Sequence, residues 1–171
     1  MAGCLYARNQ RGWCDYELSA DGEYYVVKNG CNVSFKTTIL EEYEEKPVKE
    51  IADNALGFSL FMKEVVIPEG ITRIGESAFV DCWALESVVI PDSVERIEEG
   101  AFDACYKLSS VTIGSGVKYI GDMTFNECKK LTSIVYRGTM AQWNAIEKGW
   151  EGNYKVPATE VVCSDGTVTL N

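Results

Sequence analysis

The chain has 171 residues, of which 46% are hydrophobic and 25% are charged, and its formal net charge is −10. This length supports one domain with a continuous core, and no apolar run approaches the ~18–20 residues that a membrane span needs. The acidic balance disfavours direct binding to nucleic acid or to an anionic membrane.

The first residues carry no recognisable targeting segment. Residues 1–8 lack the charged leader followed by an apolar stretch that marks a secretory signal. The chain as it stands is therefore expected to be cytoplasmic, whereas a cell-surface location would require that a leader or an anchor has been removed. Residues 1–15 show no periodicity that predicts an element.

The first predicted element is a β-hairpin around the turn Asp21-Gly22. An Asp-Gly pair between two runs of strand-forming residues is a strong hairpin signal, and the runs here are 16–18 and 24–27. The hairpin is expected to cover the N-terminal end of the fold. Residues 1–36 are therefore assigned to an N-terminal segment and capping hairpin.

An acidic cluster follows this hairpin. Residues 1–110 carry 20 Asp or Glu against 10 Lys or Arg, whereas residues 111–171 carry 6 of each. The negative charge is densest at four glutamates: Glu41, Glu42, Glu44 and Glu45. Two interpretations stay open, a solvated acidic loop that aids solubility and a site for a basic partner.

A repeat of 23 residues dominates the middle of the chain. Three copies align without a gap, as Cys82, Cys105 and Cys128 show (105 − 82 = 23; 128 − 105 = 23). Six further columns keep the same spacing: Ile67/Ile90/Ile113, Ile71/Val94/Val117, Ile74/Ile97/Ile120, Phe79/Phe102/Phe125, Leu85/Leu108/Leu131 and Ser87/Ser110/Ser133. A degenerate copy precedes them, with its strand expected at 37–40. Such a repeat predicts a solenoid whose stacked units share one core, and residues 37–136 are assigned to it.

Each copy has the strand spacing of leucine-rich repeats. In the pattern L-x-x-V-x-I over 85–90, the three apolar side chains are expected to point inward, which places Ser87 and Val89 outside. Pro91 ends the strand because it has no N–H to donate, and the rest of the copy is compatible with a short helical or 3₁₀ segment. The predicted fold class is an α/β solenoid, a short right-handed leucine-rich-repeat superhelix with a parallel sheet on one face and hairpin caps at both ends.

Residues 137–171 are predicted to form a C-terminal cap of a helix and a hairpin. Thr139 followed by Gln142 has the form of a capping box, so a helix is expected to begin there, and Gly149 is expected to end it. Trp143 is expected to seal the last repeat, with ligand stacking as the alternative. The second hairpin is expected around Asp165-Gly166.

The repeats resemble the BspA-like, treponemal type of leucine-rich repeat. That pattern reads roughly I-P-x-x-V-x-x-I-G-x-x-A-F-x-x-C-x-x-L, and residues 67–85 read I-P-E-G-I-T-R-I-G-E-S-A-F-V-D-C-W-A-L. Glu98, Gly114 and Thr124 depart from the pattern's glycine, proline and alanine, and local loosening is expected there. The resemblance covers about residues 16–170 and implies a bacterial or protozoan surface adhesin that binds host matrix proteins or other cells.

The sequence supplies no catalytic constellation. It contains no histidine, which removes the commonest general base, and it has no phosphate-loop, dinucleotide or nucleophile-elbow motif. Cys82, Cys105 and Cys128 are expected to pack inside the solenoid, with a thiolate metal cluster as the alternative. We therefore predict that the protein is not an enzyme and that it uses no cofactor and no metal.

Outward positions of a solenoid are free to differ between copies, so they indicate a binding surface. One outward column is a β-branched stripe without charge: Val66, Val89, Thr112 and Val135. Glu86 lies at the strand entrance, and Trp83 and Tyr106 follow the cysteine column. We predict that a monomer binds a protein partner through these residues on the sheet face and its rim. The alternative is a small acidic inhibitor or decoy that places the four glutamates in the basic groove of a nucleic-acid-handling enzyme.

Overall fold

A computed structural model describes residues 14–30, 34–149 and 156–170. Across these ranges the chain forms fifteen β-strands and one α-helix. The elements are β1 (Cys14–Leu18), β2 (Tyr25–Gly30), β3 (Lys36–Thr38), β4 (Glu42–Tyr43), β5 (Lys46–Ile51), β6 (Glu64–Val66), β7 (Arg73–Ile74), β8 (Ser87–Ile90), β9 (Arg96–Ile97), β10 (Ser110–Ile113), β11 (Tyr119–Ile120), β12 (Ser133–Tyr136), α1 (Met140–Ala145), β13 (Glu147–Lys148), β14 (Glu160–Cys163) and β15 (Gly166–Thr169).

The strands form two sheets between which the chain alternates. The front sheet has the order β15-β14-β12-β10-β8-β6-β3, and the back sheet has the order β1-β2-β5-β7-β9-β11-β13, with β4 paired to β5. From β5 to β13, each turn of the chain, or rung, contributes one strand to each sheet. The strands of successive rungs are parallel. This is the arrangement of a solenoid, in which each rung contacts only its neighbours.

The 23-residue period sets the register of both sheets. Ser87 is aligned with Ser110 and then with Ser133 in the front sheet, and Arg96 is aligned with Tyr119 in the back sheet. In β8 the side chains alternate between exposed and buried, so that Val88 and Ile90 face the core while Ser87 and Val89 face outward. The inward and outward positions predicted from the sequence are therefore confirmed.

The core consists of equivalent side chains stacked from rung to rung. The rings of Phe79 and Phe102 lie with centroids 4.9 Å apart and nearly parallel, at 2°, and Phe102 stacks on Phe125 at 5.7 Å. The thiols of Cys82, Cys105 and Cys128 are fully buried beside them. Because each rung covers the apolar face of the next, burial of this shared column is the main source of stability.

The assignment to the α/β class needs correction, although the solenoid, its parallel sheet and the two terminal hairpins are confirmed. The described residues contain one helix, of six residues, and in the three regular copies the segment opposite the front sheet consists of a two-residue strand and turns. A two-residue strand offers only two backbone pairs, too short to show a periodicity of its own in the sequence. The fold is therefore mostly β.

In the described part of the chain no helix has the length and apolar character to cross a membrane.

At the N-terminal end, the predicted hairpin joins the back sheet. β1 and β2 are antiparallel, and β2 pairs in parallel with β5. In the front sheet, β3 begins one residue before the expected 37–40 and pairs with β6 at an offset of 28 (64 − 36). The extra residues accommodate the short hairpin of β4 and β5, so the degenerate first copy is a regular rung with an insertion.

At the C-terminal end, both sheets continue past the last regular repeat. β13 extends the back sheet beside β11, and β14 extends the front sheet beside β12. The capping box of Thr139 and Gln142 is present, but α1 ends at Ala145 with Ile146 as its C-cap, so Gly149 does not terminate it. Trp143 is buried and lies 5.4 Å from the ring of Tyr136, which agrees with the sealing role.

Candidate partner-binding surface

The valine stripe is an uncharged column on the outer face of the front sheet. It comprises Val66, Val89, Thr112, Val135 and Val162, aligned by strand pairing and by the 23-residue period. Val66, Val89 and Val162 are 37%, 49% and 45% exposed, whereas Thr112 and Val135 are partly buried. An uncharged column of this length with three exposed valines fits the kind of patch that marks interaction sites.

Sequence reasoning missed one member of this stripe. Val162 pairs with Val135, but it lies 27 residues further along the chain (162 − 135). The interval exceeds the period because α1 lies in that rung before β13, which is displaced to an offset of 28 from β11 (147 − 119). Its alternation with the buried Val161 and Cys163 is the signal that could have identified it.

A polar column runs beside the valine stripe. It consists of Ser87, Ser110 and Ser133, preceded by Glu64, whose carboxylate is paired with Lys36. Glu86, predicted as a contact residue at the strand entrance, is exposed, and its carbonyl oxygen accepts hydrogen bonds from the backbone N–H and the hydroxyl of Ser109. The front face therefore combines an apolar stripe with short hydrogen-bonding side chains and little charge.

The aromatic ridge lies at the corner where the chain enters the front sheet, and comprises Phe58, Phe61, Trp83 and Tyr106. These side chains are 59%, 55%, 46% and 37% exposed. Trp83 and Tyr106, both predicted from the sequence, are neighbours with ring centroids 6.1 Å apart. Large rings at this exposure are typical of interface anchors.

Phe58 and Phe61 were not predicted as surface residues because they belong to the degenerate copy. Phe58 takes the place of Asp81, and both residues have a left-handed backbone with φ of 59° and 56°. Ala104 and Glu127 repeat this conformation at φ 56° in the next two rungs. A left-handed residue, which is uncommon outside glycine, therefore recurs at the same corner of four successive rungs.

The four glutamates lie in a tight hairpin and not in an open loop. β4 and β5 are antiparallel, and Glu44 and Glu45 form the turn with φ of 48° and 64°. The hydroxyl of Tyr25 donates to a carboxylate oxygen of Glu44 at 2.7 Å, and Tyr25 meets Tyr43 edge to face. Glu41, Glu42, Glu44 and Glu45 are all exposed. One of the four carboxylates is thus engaged in holding the hairpin to the back sheet.

The cysteine column is part of the buried core. Each thiol donates to a carbonyl oxygen of the preceding rung: Cys82 to Leu56, Cys105 to Phe79 and Cys128 to Phe102, at 3.2–3.3 Å. Burial raises the pKa of the Cys105 thiol well above its ordinary value, which disfavours the thiolate that binds metals. Within the described ranges, no group of three or more Cys, Asp or Glu side chains could hold a metal ion.

Lys148 is a half-buried amine beside an open cleft, and its contacts account for it without a catalytic role. Burial lowers its pKa, a property that active-site lysines share. However, its ammonium donates to the carbonyl oxygens of Trp143 and Ile146 and lies 4.8 Å from the Trp143 ring centroid. These contacts satisfy carbonyl groups at the end of α1, so Lys148 serves as a helix cap.

The back sheet carries an ion-pair network across successive rungs. Glu98 stands where the repeat pattern has glycine, and its carboxylate accepts hydrogen bonds from Arg96 at 2.9 Å and from Arg73 at 3.2 Å. Arg73 also binds Asp53 at 2.8 Å, and Arg96 lies 4.1 Å from the ring of Tyr119. The departure from the pattern therefore adds bonds between rungs instead of loosening them, and these arginines are already engaged by the protein.

The fold and its surfaces define a class of protein, a β-solenoid of leucine-rich repeats. The sequence pattern of the BspA type leucine-rich repeat region matches residues 32–147 in six copies. The chain belongs to this family, whose members have repeats suited to protein interaction and to surface roles. A comparison with curated proteins found no match.

Solved structures of several bacterial proteins show the same fold. A leucine-rich repeat protein of T. pallidum is 22% identical, with a TM-score of 0.77 over 85% of this chain and 66% of its own. A leucine-rich cell surface protein of Faecalibacterium prausnitzii is 27% identical, with a TM-score of 0.63 over 78% of this chain and 40% of its own. A leucine-rich repeat protein of Bacteroides capillosus is 19% identical, with a TM-score of 0.52 over 88% and 94%. This chain spans just under two thirds of the T. pallidum protein and less than half of the F. prausnitzii protein.

Proposed function

We propose that this chain is a non-catalytic module that binds a protein partner through the front sheet and its rim. The observation that carries the proposal is the valine stripe, an uncharged, β-branched column that crosses five strands and is exposed at Val66, Val89 and Val162. Burial of such a column contributes about 25 cal/mol per Å² of apolar surface removed from water. Family membership and the likeness to a cell surface protein support the same assignment.

The proposal assigns different roles to the outer faces of the two sheets. The outer back sheet is occupied by ion pairs within the chain, centred on Arg73 and Glu98. The outer front sheet carries the apolar stripe and the serine column, whose groups are available to a partner. No specific observation favours the alternative of an acidic inhibitor or decoy, since the glutamate hairpin is explained as a surface insertion held by Tyr25.

The test is a binding comparison between charge variants on opposite sides of the solenoid. The variant Val89→Glu/Val135→Glu places two carboxylates in the valine stripe. We expect that it no longer binds the partner that the unchanged protein binds. Lys118→Glu is the matched control, because it changes the net charge by the same amount on the back-sheet side, where Lys118 is exposed. Binding driven by apolar contact should also persist at high salt. Unchanged capture by the double variant would exclude the front sheet as the binding surface.

A further inference from the structure

The aromatic ridge borders a group of lysines in a strongly acidic protein. Lys107 and Lys130 take the place of Phe61 in the third and fourth rungs, at offsets of 23 from each other and 46 and 69 from Phe61 (107 − 61; 130 − 61). Both are exposed, and neither has an ion-pair partner in the part of the chain that the structure describes. Lys129 lies with its ammonium 5.3 Å from the ring centroid of Tyr106. The ridge thus passes from aromatic to basic along the solenoid axis.

Three acidic groups of this corner are already bonded within the protein. Asp81 accepts a hydrogen bond from the indole N–H of Trp83 at 2.8 Å, and Asp103 accepts one from the side chain of Asn126 at 2.9 Å. Glu127 is paired with Lys129 at 2.9 Å. The ammonium groups of Lys107 and Lys130 therefore remain for a ligand, beside the exposed carboxylate of Glu86.

This combination selects the chemistry of a ligand. A ligand that lies across the ridge must offer apolar groups to Trp83 and Tyr106 and negative charge to the lysines. A neutral sugar would need a flat stacking surface, whereas the rings of Trp83 and Tyr106 are tilted by 46° and form no common platform. Exposed charges separated by more than ~8 Å are largely screened at physiological salt. A ligand at the ridge therefore interacts more strongly with the nearby lysines than with glutamates elsewhere on the surface.

We propose that the aromatic ridge and Lys107 and Lys130 bind an acidic peptide segment that carries apolar side chains between its carboxylates. The apolar side chains pack against Trp83 and Tyr106, and the carboxylates pair with the ammonium groups. Exposed Glu86 lies beside the ridge and excludes a segment that is acidic throughout. This inference rests on the proposed protein-binding function and assigns the chemistry of the partner segment at the rim of the front sheet.

The test measures binding of a labelled synthetic peptide that alternates glutamate with leucine, by fluorescence anisotropy at low and high salt. We expect saturable binding that weakens with salt, at least about tenfold weaker binding to Lys107→Glu/Lys130→Glu, and a similar loss for Trp83→Ala. The matched control is Lys49→Glu/Lys118→Glu, because these two exposed lysines share one column on the back-sheet side (118 − 49 = 69, three periods). Thermal unfolding of each variant checks that it is folded.

Three outcomes would overturn the inference: no binding of the peptide, an equal loss in the control variant, or tighter binding of polygalacturonate than of the peptide. The last would assign the site to an acidic polysaccharide. The Val89→Glu/Val135→Glu variant separates this inference from the proposed function, because it should bind the peptide normally while it loses the front-sheet partner. Failure of the front-sheet proposal therefore leaves peptide binding intact, and failure of the ridge leaves capture by the front sheet intact.

Discussion

The thiol of Cys105 donates a hydrogen bond of 3.3 Å to the carbonyl oxygen of Phe79, which lies 26 residues earlier in the preceding rung. Cys82 and Cys128 make the same bond to Leu56 and Phe102. The repeated cysteine thus joins neighbouring rungs by a polar contact in addition to filling space. In the degenerate copy the same position holds Ser59, which is also fully buried.

The first prediction concerns this bond. Cys105→Ala removes the donor and leaves a small cavity, so the free energy of unfolding should fall by about 1–2 kcal/mol. Cys105→Ser keeps a donor toward Phe79 and should cost less than the alanine variant. Urea denaturation of the two variants and the unchanged protein provides the comparison, and an alanine variant as stable as the serine variant would show that the bond contributes nothing.

A second prediction concerns two buried threonines whose hydroxyl groups differ in hydrogen bonding. The hydroxyl of Thr37 is buried and has no hydrogen-bond partner among the described residues, whereas the hydroxyl of Thr124 donates to the carbonyl oxygen of Gly121 at 2.7 Å. Thr37→Val should therefore raise the free energy of unfolding by about 1–2 kcal/mol, since it removes an unsatisfied polar group. Thr124→Val is the control and should lower it by about 1 kcal/mol. Equal effects of the two substitutions would contradict the assignment.

The third prediction uses the left-handed corner of the repeat. Ala104 has φ of 56°, a conformation that costs about 1–2 kcal/mol for a residue with a Cβ. Ala104→Gly relieves this cost, and after the entropy that glycine adds to the unfolded chain is subtracted, a net gain of up to about 1 kcal/mol is expected. Ala101→Gly, at a buried position that lacks a positive φ, should instead destabilise by about 1–2 kcal/mol. Thermal unfolding of both variants should show shifts of opposite sign.

The fourth prediction is a pH dependence at Glu98. Burial acts to raise the pKa of this carboxyl, but hydrogen bonds from Arg96 and Arg73 outweigh it and hold the pKa below its ordinary value of 4.5. A carboxyl with a lowered pKa in the folded state contributes stability above the unfolded value, and that contribution is lost as the pH falls through the folded value. Glu98→Gln should therefore cost about 0.5–1 kcal/mol at neutral pH.

The difference between Glu98→Gln and the unchanged protein should shrink as the pH falls from 4.5 through the lowered pKa of folded Glu98, because below that pKa both side chains are neutral. Urea denaturation at a series of pH values measures this difference. Glu95→Gln is a suitable control, since Glu95 makes a single exposed pair with Lys118. A difference for Glu98→Gln that stays constant with pH would show that charge at this position does not stabilise the fold.

Much of the candidate surface followed from periodicity. The outward positions of Val89 and Ser87 were predictable, because residues 23 apart in the sequence are aligned in the sheet. Val162 and Phe58 were not, for two different reasons. An insertion moved Val162 out of the period, and the degenerate copy replaced the residue type at Phe58 while keeping the backbone conformation. The binding roles of the valine stripe and the aromatic ridge remain predictions that the proposed experiments address.

The length of the repeating unit and its inward positions could be predicted from the sequence alone. A buried column must repeat the same apolar residue at a constant interval, as at Cys82, Cys105 and Cys128. The sequence could not determine the secondary structure of the back sheet, since strands such as Arg96–Ile97 exist only through hydrogen bonds to the neighbouring rungs. Nor could it show that Glu98 bridges Arg73 and Arg96, because that contact joins side chains whose proximity depends on stacking. Contacts that repeat in every rung produce a periodic pattern in the sequence. A contact made once between two rungs produces no such pattern, because it forms only when the folded chain stacks those rungs.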